Sequence, residues 1–178
     1  MIDQLATSCE KWEKAHPPNS SKNVVNEKYD EDEGDSEDDD IIDVEKRKQT
    51  YTQQLKTISN LLNVSYEDEN QDKFVKDLGN DIAAIRSAPT ALFSFLKAQK
   101  PIEGFCETNE FQRTLEVAMS FGGDSDTIMS MAGAIAGAYY GQSNIPKYLM
   151  NVCEGVEDAQ HQAEEIFKLL EYNNVNSS

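Results

Sequence analysis

The run Ile128-Met129-Ser130-Met131-Ala132-Gly133-Ala134-Ile135-Ala136-Gly137-Ala138-Tyr139-Tyr140 limits the fold of this chain more than any other segment. Only Ser130 interrupts its apolar character. A helix over about 125–140 is then apolar all round, the pattern of a helix at the centre of a helical domain. Gly133, Gly137 and Gly141 recur at every fourth position. That spacing leaves one helix face without side chains and predicts close approach by its neighbours. Gly133 and Gly137 each cost about 1 kcal/mol relative to alanine in such a helix.

Charge is held at the head of this helix. Gly122-Gly123-Asp124-Ser125-Asp126-Thr127 places two carboxylates and two hydroxyls in four residues, directly after two glycines that end the preceding helical pattern. Two readings follow from the residue types. In one, Asp124 or Ser125 caps the helix and Asp126 complements its dipole. In the other, the oxygens hold a hard divalent cation, which takes oxygen ligands and offsets the repulsion between neighbouring carboxylates. An EF-hand is excluded by register, because its fifth, sixth and twelfth positions would be Ile128, Met129 and Ile135.

The rest of the chain repeats the helical period. Helices are predicted over 2–15, over 48–63 with Leu55, Ile58 and Leu62 on one stripe, and over 71–86 with Phe74, Leu78, Ile82 and Ile85 at helical spacing. Pro89 suits the first position of another helix carrying Leu92, Phe93 and Leu96. Residues 109–121 carry Phe111, Leu115, Ala118 and Met119 and are stopped by Gly122. Pro146 should start a short helix, and a final amphipathic one should run over 156–171 with Ala159, Ala163, Ile166 and Leu170 inward. No strand-like alternation competes, so the expected class is all-α.

The net charge of −17 is concentrated. Residues 30–45 hold eleven acids and no base, and without them the remainder sits near −6. Such a run cannot pack, so residues 16–45 are expected to be an acidic, disordered linker. A chain this acidic is a poor ligand for nucleic-acid phosphates. The longest apolar run is too short to span a bilayer. Cys9, Cys106 and Cys153 are far apart, lack zinc spacing and suggest reduced thiols in an intracellular setting. His16 and His161 are isolated.

Gly122 to Ile128, continuing Met131 to Gly141 and then Ile145-Pro146, resembles the C-terminal signature of the ADP-ribosylglycohydrolases. Leu78-Gly79-Asn80-Asp81-Ile82-Ala83-Ala84, Ser87 to Leu92 and Cys153-Glu154-Gly155 make the ADP-ribosylserine hydrolase branch, which also degrades poly(ADP-ribose), the best match. The resemblance covers about residues 46–172. It implies an all-α, orthogonal helical bundle with two bridged Mg²⁺ ions. These hold the distal ribose of ADP-ribose and a water while a glycosidic bond is cut. Carried over, Asp124, Asp126 and Thr127 are metal ligands, with Asp126 the bridge, and Ile82 lines the nucleotide side of the cleft. Ser125 stands where the family usually has threonine. The implied substrates are ADP-ribosylated proteins and poly(ADP-ribose), the implied parent is a monomer, and the implied compartments are cytoplasm, nucleus and mitochondrial matrix.

The same resemblance implies a missing half. Full members are about twice as long and bring a Thr-Asp-Asp ligand cluster, a catalytic glutamate and a glycine-rich diphosphate loop from their N-terminal half. None of these occurs in the first 45 residues, where Gly34 is the only glycine. Residues 1–15 resemble a helix from the middle of the family's domain, residues 46–172 its C-terminal part, and residues 173–178 a disordered tail. The expectation is a C-terminal fragment with no catalytic residue of its own. Two rivals stand beside it. One is a non-catalytic structural or interaction module of the same fold. The other is an acidic histone-binding or Ca²⁺-buffering protein built on residues 30–45.

Overall fold

Helix α1 (Ile2–Ala15) is tied to α2 (Tyr51–Leu61) through one carboxylate: Glu13 accepts from the Thr52 amide at 3.3 Å and from its hydroxyl at 2.8 Å. These coordinates come from a computed structural model, which describes residues 2–15, 50–66, 68–106 and 108–176. The predicted linker over 16–45 lies outside the described residues. Helix α2 begins where Thr50 and Gln53 form a capping box, each side chain accepting the other's backbone N–H, at 3.2 and 3.0 Å.

Every regular element among the described residues is helical. After α2 come α3 (Asp68–Leu78), α4 (Ala84–Lys97), α5 (Glu110–Ser120), α6 (Ser125–Tyr140), a 3₁₀ turn (Gln142–Asn144), α7 (Lys147–Val152) and α8 (Val156–Asn176). The all-α expectation holds. Ile58, Phe74, Leu78, Phe93 and Val117 are fully buried where α2, α3, α4 and α5 meet. Tyr66, Phe74, Phe93 and Phe121 follow one another through this core, stacked, tilted and edge-to-face in turn, with ring centroids 5.1, 5.3 and 6.0 Å apart. Buried Arg113 is satisfied by carbonyls: its Nε donates to Ala98 at 2.7 Å and its Nη1 to Cys106 at 2.6 Å. All three cysteines are free.

Three expectations are corrected. The helix predicted over 71–86 stops at Leu78. Residues 79–83 form a turn, so Ile82 is exposed and Ile85 belongs to α4. The turn is stable because Asp81 Oδ1 accepts the Ala83 N–H at 3.1 Å, and the Ala83 carbonyl then accepts the first amides of α4. Pro89 lies inside α4 rather than at its start, and its missing N–H removes the helical bond to Ile85.

The second correction concerns α6. It packs on α4 and α5 with Ile128, Ala132 and Ala136 buried, but Ser130, Ala134, Ala138 and Tyr139 are exposed. It is central on one side only. Its glycines meet side chains rather than backbone: a Cβ at Gly133 would come 3.2 Å from Leu115, one at Gly137 3.8 Å from Phe111, and Gly141 lies past the helix end.

The third correction concerns α8. It continues beyond the expected end at 171 and takes in residues 173–176, which were expected to be tail. Ala159, Ala163, Ile166 and Leu170, expected inward, are exposed. Helix α8 does not pack on the other helices as α1 to α6 pack on one another.

Candidate metal centre

The predicted ligands are placed by two glycines. Helix α5 ends at Ser120, and Gly122 and Gly123 follow with φ of +62° and +58°. Two consecutive left-handed residues reverse the chain at little cost only as glycine. The chain then enters α6 with Asp124 at the N-cap position and Asp126 and Thr127 in the first turn.

Asp124 does not cap the helix. No helix amide donates to its side chain, and its Oδ2 is buried without a hydrogen-bond partner. The capping reading therefore fails for this residue, because a buried carboxylate oxygen left unpaired is costly and needs a counter-charge. Asp126 is exposed, and its carboxyl is held below the ordinary carboxylate range. The main cause is the neighbouring Asp124 side chain, with the Thr127 amide and its own amide adding to it. Thr127 is half-buried beside them.

The structure thus brings Asp124, Asp126 and Thr127 together, and the donor set suits Mg²⁺, a hard ion that prefers oxygen. It is also incomplete. Among the described residues no three His, Cys, Asp or Glu side chains converge. Two carboxylates and a hydroxyl fall short of the six ligands that near-octahedral Mg²⁺ takes.

A second turn holds the first. The Asn80 carbonyl accepts the Asp124 N–H at 2.8 Å, and the Asn80 side-chain amide donates to the Phe121 carbonyl at 2.9 Å. At Gly123 a Cβ would sit 2.2 Å from the Asn80 oxygen. The 78–80 backbone is itself fixed from the core. Buried Thr90 donates to the Gly79 carbonyl at 2.7 Å, and Gln54 Nε2 donates to the Leu78 carbonyl at 3.4 Å. On the outer side, Asp81 Oδ2 lies 2.5 Å from Arg86 Nε, an ion contact whose N–H is not aligned as a hydrogen bond. Ile82 stands on this turn, two positions from Asn80, and is 81% exposed.

Asn80 received no role from the residue pattern, because reading 71–86 as one helix concealed the turn. The signal was present: Gly-Asn directly after an apolar stripe marks a helix end.

The sequence pattern of the ADP-ribosylglycohydrolase family matches residues 21–176. The chain is 41% identical to the ADP-ribosylhydrolase ARH3 of Bos taurus over 122 residues, which is 68% of this chain and 33% of the bovine protein. It is 40% identical to the ARH3 of Homo sapiens over 122 residues, again 68% of this chain and 33% of the relative. A shorter likeness, 37% over 60 residues, joins it to the ADP-ribosylarginine hydrolase Tri1 of Serratia proteamaculans (strain 568), covering 34% of this chain and 16% of that protein. The chain spans about a third of the length of the ARH3 relatives. With the matched pattern covering most of its residues, the chain belongs to the ADP-ribosylglycohydrolase family.

Proposed function

We propose that this chain supplies the C-terminal part of the metal site of an ADP-ribosyl hydrolase. The parent activity is hydrolysis of the O-glycosidic bond between ADP-ribose and serine, or between riboses of poly(ADP-ribose). One observation carries the reading above the others: Asp124 keeps a buried carboxylate oxygen that neither a helix amide nor a side chain satisfies. The names and identities of the ARH3 relatives support the substrate class.

Asp124 and Thr127 would hold one Mg²⁺, and Asp126 would reach both ions of a pair. When bound, Mg²⁺ supplies positive charge that orients ribose hydroxyls and a water. The chain's own contribution is positional. The paired turns at 79–83 and 121–124 fix the backbone of Asp124, and exposed Ile82 offers an apolar surface for the nucleotide. The catalytic glutamate and the remaining ligands are assigned to sequence that this chain does not contain. The full protein works as a monomer in cytoplasm, nucleus and mitochondrial matrix on this reading. Among the described residues no helix is long and apolar enough to cross a membrane.

Two measurements test the proposal. Calorimetric titration of Mg²⁺ into the 178-residue chain should show weak binding that Asp126→Ala abolishes. A peptide ADP-ribosylated on serine should release no ADP-ribose when mixed with the chain. Heat that survives Asp126→Ala contradicts the metal assignment, and measurable release contradicts the part-site assignment.

A further inference from the structure

We infer that Asn80 is a positioning residue for the metal site, holding Asp124 in its uncapped conformation from outside the ligand run. The inference rests on the metal reading above and extends it to a residue in a different helix–helix connection. Three observations converge on Asn80. Its carbonyl accepts the Asp124 N–H at 2.8 Å, so the backbone of the ligand is bonded to it directly. Its side-chain amide donates to the Phe121 carbonyl at 2.9 Å, closing the other end of the same turn. Gly123 lies against it with no space for a Cβ.

The clamp is rigid because its base is rigid. Thr90 and Gln54 are buried and donate to the two carbonyls that precede Asn80. Asp81, the next residue, is held by Arg86 and by the Ala83 amide. The turn that carries Ile82 and the turn that carries Asp124 are therefore one unit joined at Asn80. Groups that orient a ligand without touching the ion commonly change metal affinity by about 10- to 100-fold. Loss of the Asn80 side chain frees Phe121 and loosens the turn, so the effect should fall on Asp124 first.

The test uses the 178-residue chain labelled with ¹⁵N and Mn²⁺ alone as the probe. Paramagnetic broadening of the amide signals of residues 124–127 reads the apparent affinity. Asn80→Ala and the bulkier Asn80→Leu both remove the donor, so agreement between them separates the hydrogen bond from the volume, and circular dichroism checks that each remains helical. Each should weaken Mn²⁺ by about 10-fold. In an Asp124→Ala background the same substitutions should cause no further loss, because their effect runs through that ligand. General melting of the turn would add to the loss, since it would also disturb Asp126 and Thr127.

Broadening lost in Asp126→Ala but unchanged in both Asn80 variants overturns this inference while leaving the metal site standing. Losses that add in the Asp124→Ala background overturn it as well. Broadening absent from the unsubstituted chain, or surviving Asp126→Ala, overturns the metal reading and this inference together.

Discussion

Gly123 shows how much of the site is decided by single atoms. It and Gly122 share a left-handed conformation, with φ of +58° and +62°, yet their surroundings differ. A Cβ at Gly122 would meet nothing within 4 Å, while one at Gly123 would overlap the Asn80 carbonyl oxygen at 2.2 Å. Gly122→Ala should therefore cost only the conformational penalty of about 1–2 kcal/mol. Gly123→Ala should cost about 1–3 kcal/mol for the backbone alone and more for displacing Asn80. Thermal melting of the two variants should show the larger drop for Gly123→Ala. Equal drops would mean that the two turns do not press on each other. The residue types at 124–127 were enough to mark a cluster of oxygens at a helix head, and the family resemblance proposed them as ligands. They could not decide between capping and coordination, since Asp serves both. That choice depends on a side-chain torsion, which the pattern of residue types does not encode.

At the scale of elements, periodicity located the helices and failed where two were joined. The boundaries of α6 were legible because Gly122-Gly123 and Gly141 flank a segment whose apolar run only Ser130 breaks. The break between α3 and α4 was hidden, because Ile82 and Ile85 continue the stripe of Phe74 and Leu78 by coincidence of spacing. Local chemistry overrode the stripe: an Asp81 turn and its Arg86 contact start a new helix where the apolar period predicts an old one. Helix junctions also carry a testable electrostatic signature. Tyr66, in the connection between α2 and α3, has its hydroxyl raised above the ordinary value of 10.0 chiefly by burial, and its bond to Ser120 partly opposes this. Its folded-state pKa exceeds the unfolded one, so the stability it contributes is intact below about pH 10 and is lost as pH rises through the folded value. Tyr66→Phe should cost about 0.5–1.5 kcal/mol at pH 7. Ser120 keeps its bond to the Val117 carbonyl in that variant, so no polar group is orphaned. Above pH 10 the deficit should shrink. Urea unfolding at pH 7 and pH 11 measures it, and a deficit that stays constant would show that Tyr66 does not titrate with folding.

The whole molecule presents a face with no counterpart among the described residues. Ile166, Phe167, Leu169 and Leu170 of α8 are 59%, 61%, 64% and 57% exposed, and a groove of about 960 Å³ separates α8 from Phe111, Leu115, Ile145 and Leu149. Sequence periodicity marked an apolar stripe on α8 and placed it inward, whereas Ala159, Ala163, Ile166 and Leu170 are exposed. A pattern states that a face is apolar, not what covers it. Apolar surface of this kind drives association, while a net charge of −17 opposes it. The balance should depend on salt, because repulsion between chains is screened over about 10 Å at 0.1 M and about 3 Å at 1 M, whereas apolar burial is not. Light scattering should therefore show the chain associating more strongly as NaCl is raised. Ile166→Glu with Phe167→Glu should suppress that association while leaving the melting temperature almost unchanged, since neither side chain contributes to the packed core of α1 to α6. If the double variant associates as before, the sticky surface is not α8, and the bare side of α6 at Ala134, Ala138 and Tyr139 becomes the face to substitute next.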